Sequence, residues 1–177
     1  MTLSLIMVTI EEKTHLINKA RNLAAETFST WLGCAQTTLL AVAETLEMEV
    51  TDDVFNAVIP LSSFSGGCGG ICGGAAAFGL RYGKGKEAFL KDPALGEMID
   101  LMLRFQDRFD EKYTGFLCRD IQRNLYGESY DFRIPEERAA FDKNVDHIYD
   151  TCAGVVADSA GWVVEAILEK EHPELPT

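Results

Sequence analysis

Apolar residues recur along this chain at three- and four-residue steps, the spacing that stacks side chains on one side of an α-helix. Leu16, Ile17, Ala20, Leu23, Ala24 and Phe28 form such a face on a helix beginning near Glu11. A second stripe, Cys34, Ala35, Leu39, Val42 and Leu46, follows Ser29 or Thr30, either of which can cap a helix, and leaves Glu44, Glu47 and Glu49 mostly outside it. Thr51-Asp52-Asp53 predicts an N-cap for a short helix over Val54 to Ile59, ended by Pro60. Asp92-Pro93 reads as the cap and first turn of a long helix marked by Leu95, Met98, Ile99, Met102, Phe105 and Phe109. Thr114-Gly115 breaks that helix, and a short one through Leu117, Cys118, Ile121 and Leu125 stops at Gly127. Ile134-Pro135-Glu136-Glu137 opens another, and the last runs from Val145 through Ile148, Cys152, Val155, Val156, Ser159, Trp162 and Val163 to Ile167. Nowhere do apolar residues alternate with the period of two that marks a half-buried strand. The expected fold is all-α, a single-domain bundle of about six to eight antiparallel helices with a glycine-rich turn. Residues 1–10 form an N-terminal extension to the helical domain, 11–170, and residues 171–177 a tail.

One stretch departs from the helical rhythm. Ser62-Ser63-Phe64-Ser65-Gly66-Gly67-Cys68-Gly69-Gly70-Ile71-Cys72-Gly73-Gly74 packs six glycines into residues 66–74. Glycine lets backbones approach closely, so this density predicts a tight path against a neighbour, read here as a loop that becomes a helix near Cys72. The loop does not follow a strand, ends in no Gly-Lys-Ser/Thr and lacks a full dinucleotide fingerprint, so it is not read as a nucleotide-binding loop.

Charge and composition then narrow the partners. The chain has 177 residues, enough for one core, and a formal net charge of -12 that would repel a phosphate backbone and an anionic membrane surface. Nucleic acid and membranes are set aside as partners, and no run is seen that approaches the roughly 20 apolar residues of a membrane span. Met1 to Ile10 is apolar but short, without a positively charged flank or a small-residue cleavage site. The expected location is the cytoplasm, where ordinary thiols stay reduced. Five cysteines, an odd number, point there to reactive or metal-binding thiols rather than a static disulfide framework.

Cys34, Cys72 and Cys118 fall near predicted helix N-termini, where unsatisfied amides and the helix dipole favour a thiolate. Cys152 lies on the apolar stripe of the last helix and should point into the bundle toward them. Cys68 and Cys72 are spaced Cys-x-x-x-Cys, which is not the Cys-x-x-Cys of thioredoxin-like sites, and no Cys-x-x-Cys-His is present for covalent haem. Non-covalent haem and a zinc site assembled from distant segments stay open. His15, His147 and His172 lie far apart on helix ends or the tail, with His147 nearest to Cys152.

This arrangement resembles a family described as redox-active and named for four cysteines and a Cys-Gly-Ala-x-x-Gly motif. The matching stretches are Cys34-Ala35-Gln36, residues 66–74 with Gly79-Leu80-Arg81-Tyr82-Gly83, Leu117-Cys118-Arg119-Asp120, and Cys152. The resemblance implies that Cys34, Cys72, Cys118 and Cys152 are the family's four. Three departures stand out: Gly74 where the motif has Ala, Ala77 where it has Gly, and Cys68 as an extra cysteine. A similar domain occurs in a cytochrome carrying an iron–sulfur cluster, so the resemblance also implies such a cluster as an alternative, with the same four cysteines as ligands.

The first reading is therefore thiol–disulfide exchange or electron transfer by an oxidoreductase-like protein. Cys34, Cys72, Cys118 and Cys152 would be the reacting thiols and Cys72 the attacking one. Cys68, Gly69, Gly70 and Gly73 would offer amide donors and room for a cofactor or a partner sulfur. The rivals are an iron–sulfur electron carrier and a non-catalytic helical interaction module whose cysteines merely pack. The redox partner is not specified by the sequence, and Trp31, Trp162 and the apolar N-terminal segment leave homodimerisation and core burial equally open.

Overall fold

The computed structural model describes residues 8–30, 33–62 and 66–174. Among them the helices are α1 (Ile10–Phe28), α2 (Cys34–Thr45), α3 (Asp52–Val58), a 3₁₀ turn (Ile59–Leu61), α4 (Gly69–Tyr82), α5 (Lys86–Lys91), α6 (Met98–Tyr113), α7 (Cys118–Tyr126), α8 (Pro135–Lys143) and α9 (Val145–Glu171). The protein is an all-α single domain, and no strand forms among the described residues.

Helix α9 is the spine. It packs along α1 and also touches α2, α4, α6 and α8, while α2 lies closely on α4. Its buried stripe, Val155, Val156, Ala160, Val163, Val164 and Ile167, meets Ala20, Ala24 and Phe28 of α1 and Ala35, Leu39 and Val42 of α2 in one core. The alanines let the helix axes approach. An aromatic ladder closes the other side: Phe78 and Phe105 (ring centroids 5.8 Å apart), Phe105 and Phe109 (5.3 Å), and Phe109 and Trp162 (5.5 Å), all edge to face. Burying each of these rings contributes roughly 2–3 kcal/mol, so the ladder fixes α6 against α4 and α9. The buried carboxylate of Asp158 ties the same layer together. It accepts from the Tyr113 hydroxyl at 2.5 Å and pairs with Lys112 and, at 3.3 Å, with Arg21.

Several predicted boundaries hold for the predicted reason: Thr51 caps α3, and α6 and α7 end on left-handed residues, Thr114 (φ 60°) and Gly127 (φ 80°). Helix α1 starts within a residue of the expected place, with Thr9, not singled out in the sequence, as its cap, accepting from the Glu12 amide at 3.1 Å. Others differ. Ser29 and Thr30 do not cap the second helix, because both hydroxyls donate back into the end of α1, to Glu26 O at 2.6 Å and Thr27 O at 2.7 Å. The N-terminus of α2 is served from far along the chain instead: Ser62 Oγ accepts from the Ala35 amide at 3.0 Å and donates to Gln36 Oε1 at 2.8 Å. Asp92 does not start the long helix. It ends α5, a short exposed helix with no apolar stripe to announce it, and Gly96 at φ 55° delays α6 until Met98. Helix α3 does end just before Pro60, at Val58 with Ile59 as its C-cap, and Pro60 continues the chain inside the 3₁₀ turn.

The largest correction concerns the glycine-rich stretch. It is not a loop as far as Cys72, because α4 begins at Gly69, and Gly69, Gly70, Gly73 and Gly74 are helical and buried. Their missing side chains make room for α2, α6 and α9, and that packing gain outweighs glycine's low helix propensity. Helix α9 is also long and apolar enough to cross a membrane, contrary to the expectation that no run approaches that length, and most of its apolar stretch is buried within the bundle. Trp162 is a core residue, and Trp31 lies outside the described residues.

Candidate functional site

Four chain segments bring the cysteines to one end of the bundle. Cys34 is the first residue of α2, held there by Gly33 in extended conformation and by the Ser62 cap across from it. Cys118 is the first residue of α7, and Cys68 is the N-cap of α4. Those two are tied by a short antiparallel bridge between Gly67 and Leu117: the Cys68 amide donates to Phe116 O at 2.8 Å and the Cys118 amide to Gly66 O at 3.1 Å. Cys72 follows one turn into α4, its amide donating to Cys68 O at 3.1 Å, and Cys152 projects from α9.

The glycines assigned to cofactor binding explain how the thiols come so close. A methyl group on Gly69 would lie 2.5 Å from Cys34 Cβ, one on Gly70 would meet Ser159 Oγ at 2.5 Å, and one on Gly73 would lie 2.3 Å from the Ala35 carbonyl oxygen. All three are contact points between α4 and its neighbours. Gly74 is filled in the same way by a neighbour: a methyl there would strike the Phe105 ring at 2.5 Å, which accounts for the motif's alanine being absent.

Electrostatically the thiols are one group. Burial pushes the Cys34 thiol far up, and proximity to Cys152, Cys118 and Cys72 pushes it further. Cys68 is raised by burial and by Cys34 and Cys118; Cys118 by burial and Cys72. Cys152 is pushed up to about 12 by burial and by Cys68 and Cys118. The expectation that helix N-termini would stabilise thiolates is thus reversed. The amides of Gly70 and Ile71 do favour a Cys68 thiolate, but loss of water costs the charged form more than those amides return.

Cys34, Cys118 and Cys152 line an open cavity of about 790 Å³, while Cys68 and Cys72 are not on its wall. The cavity's remaining walls come mainly from α7, the segment before α8, α8 itself, the start of α9 and the end of α1. Sequence reasoning missed three contributors. Arg119 and Arg123, one and five residues beyond Cys118, also line the cavity, and the only hint of them was their helical spacing in an acidic chain. The third, Tyr126, is not on the cavity wall. Its hydroxyl is buried with no hydrogen-bond partner, and its ionisation is opposed by burial, then by Cys152 and Cys118. His147 is exposed and stands 6.3 Å from the Tyr126 ring.

Among the described residues no three His, Cys, Asp or Glu side chains come together closely enough to hold a metal ion. In this arrangement Cys34, Cys72, Cys118 and Cys152 do not form such a group. A family model described as "Putative redox-active protein (C_GCAxxG_C_C)" matches residues 32–166. The chain belongs to this family. The matched stretch contains every cysteine of the cluster, from Cys34 at its start to Cys152 near its end, and most of the helices that position them. No curated protein and no solved structure matches the chain.

Proposed function

We propose that this redox-active family member works by thiol–disulfide exchange at the cavity, with the reacting pair drawn from Cys34, Cys118 and Cys152. The observation that carries the reading is the opening of three thiols, from three different helices and each opposing another's ionisation, onto one cavity. In the exchange one cysteine loses its proton and its sulfur attacks a sulfur of an external disulfide. A mixed disulfide forms, and the first external thiol departs with a proton. A second cysteine then attacks the mixed disulfide and expels the other external thiol. The protein ends with one disulfide, and two electrons and two protons have passed to the external molecule. Cys68, buried, and Cys72, half-buried one turn further along α4, would form a reserve pair. A cytoplasmic setting would keep the cluster reduced between turnovers.

The test is a thiol count before and after a mild oxidant, with peptide mapping and metal analysis on protein purified without oxygen. The expected result is metal-free protein that loses a pair of thiols reversibly with dithiothreitol, with the new cross-link between two of Cys34, Cys118 and Cys152. Iron accompanied by sulfide would replace the proposal with an iron–sulfur carrier. Thiols that stay inert in the folded protein would leave a helical interaction module.

A further inference from the structure

The wall of the cavity says more about its ligand than the thiols do. The chain as a whole carries a net charge of -12, which repels anions. Yet three arginines, Arg119, Arg123 and Arg133, line this one cavity. Arg133 is already engaged, its Nε lying 2.8 Å from Asp131 Oδ1 and 3.0 Å from Oδ2. The other two are not satisfied in this way. Arg119 Nε and Arg123 Nη1 share a single carboxylate oxygen, Asp120 Oδ1, each at 3.7 Å, beyond hydrogen-bond reach. Two cations against one carboxylate leave a net positive charge on that face of α7. Elsewhere on the wall Asp131 holds Arg133, while Glu137 of α8 accepts from the Asp131 amide at 2.6 Å and keeps its charge, so the lining still carries three arginines against two carboxylates. The cavity's volume, about 790 Å³, is within the usual range for small-molecule sites, and the edge-to-face pairs of Phe141 with Phe132 (4.8 Å) and Tyr130 (5.6 Å) give it a firm apolar side.

We infer that the cavity beside Cys34, Cys118 and Cys152 receives a low-molecular-weight disulfide bearing carboxylates, with Arg119 and Arg123 as its anion contacts. This rests on the dithiol reading and names the substrate class for it. The arginines follow Cys118 on the same helix, so a carboxylate held by their guanidinium groups places the attached disulfide near the thiols. Fork-shaped, permanently charged donors suit that task.

The test compares three oxidants acting on the reduced protein at low ionic strength: oxidised glutathione (anionic), cystamine (cationic) and hydroxyethyl disulfide (neutral). Each is run against wild type and an Arg119→Gln/Arg123→Gln variant. Both side chains are well exposed, so the variant should fold. The expected result is a loss of about tenfold in rate with oxidised glutathione, weakened by salt, and no loss with hydroxyethyl disulfide or cystamine. An equal loss with all three oxidants would show that the arginines favour thiolate formation rather than bind the oxidant, and would overturn the inference while leaving the dithiol reading intact. No change with any oxidant would overturn it in the same way. Failure of every oxidant, the neutral one included, would remove the dithiol reading and the inference together.

Discussion

Alanine substitution at two glycines of the same helix should change stability in opposite directions. Gly73 and Gly79 both lie within α4, and helix propensity alone predicts that either replacement stabilises the protein by about 1 kcal/mol. The surroundings differ. A methyl on Gly79 meets nothing within 4 Å, so the propensity gain should be realised in full. A methyl on Gly73 would sit 2.3 Å from the Ala35 carbonyl oxygen and 2.9 Å from Thr38 Cβ. The first of these is backbone and cannot rotate away. Ordinary contact begins near 3.4 Å, so α2 and α4 must part by about 1 Å, from the difference between 3.4 and 2.3 Å. Overpacking of this kind costs about 3 kcal/mol at the upper end of its usual range, leaving a net loss of about 2 kcal/mol once propensity is credited. For a domain of this size that lowers the melting temperature by about 4–8 °C for Gly73→Ala and raises it by about 2–4 °C for Gly79→Ala. Thermal and urea denaturation under reducing conditions read both. A Gly73→Ala protein as stable as wild type would mean that α2 does not lie against α4 as described, and the account of how Cys34 is brought to the cluster would fall with it.

Two further predictions concern groups around the thiols. Tyr126→Phe should stabilise the protein by about 1 kcal/mol, because it removes a buried hydroxyl that has no partner and whose desolvation is uncompensated; urea denaturation showing a loss instead would mean that the hydroxyl is hydrogen-bonded in solution. Stability should also fall as pH rises above about 9, since thiols whose folded pKa is raised above the ordinary value near 8.5 bind more protons folded than unfolded across that window. For Cys152 the contribution is complete below the ordinary value and is lost progressively as pH approaches about 12, so Cys152→Ala should flatten the alkaline limb of a stability–pH curve, and an unchanged limb would contradict the burial of that thiol.

The helical class and most helix ends were legible because they are local. Thr51, Thr114 and Gly127 act within one turn of their own position, and a three-to-four periodicity needs no tertiary knowledge. What could not be read was set by partners distant in sequence. Ser62 caps a helix that starts 28 residues earlier, and the glycines from Gly69 to Gly74 are helical because α2, α6 and α9 occupy the space their side chains would need. Of the site, the sequence marked the cysteines by their kind and setting, yet it placed Cys72 at the helix start, a position that Cys68 takes. The sign of the thiol shifts was misread for a related reason. The dipole at a helix N-terminus is a local property, whereas burial depends on the entire bundle, and here burial is larger.

That reversal bears on which way electrons would run in the dithiol reading. A thiol pushed up to about 12, as Cys152 is, ionises at neutral pH only about one part in 10⁵, so its unassisted attack is rare even though the thiolate, once formed, is a strong nucleophile. Where a thiolate is stabilised, the reduced dithiol is favoured and the pair becomes a strong oxidant; where thiolates are disfavoured, as for Cys34, Cys118 and Cys152, that stabilisation is missing and the pair is displaced toward the reducing side. In the dithiol reading the cluster would then be better suited to donating electrons than to accepting them. Donation still requires an ionisation that the buried end of the bundle resists, and Arg119 and Arg123, on the helix that Cys118 begins, stand on the cavity wall as contacts for an anionic oxidant. A bound carboxylate would occupy those arginines while the disulfide attached to it reached the thiols. Of the three thiols on the cavity wall, Cys118 is the one whose own helix carries both arginines, so in the dithiol reading a disulfide anchored there would meet Cys118 first.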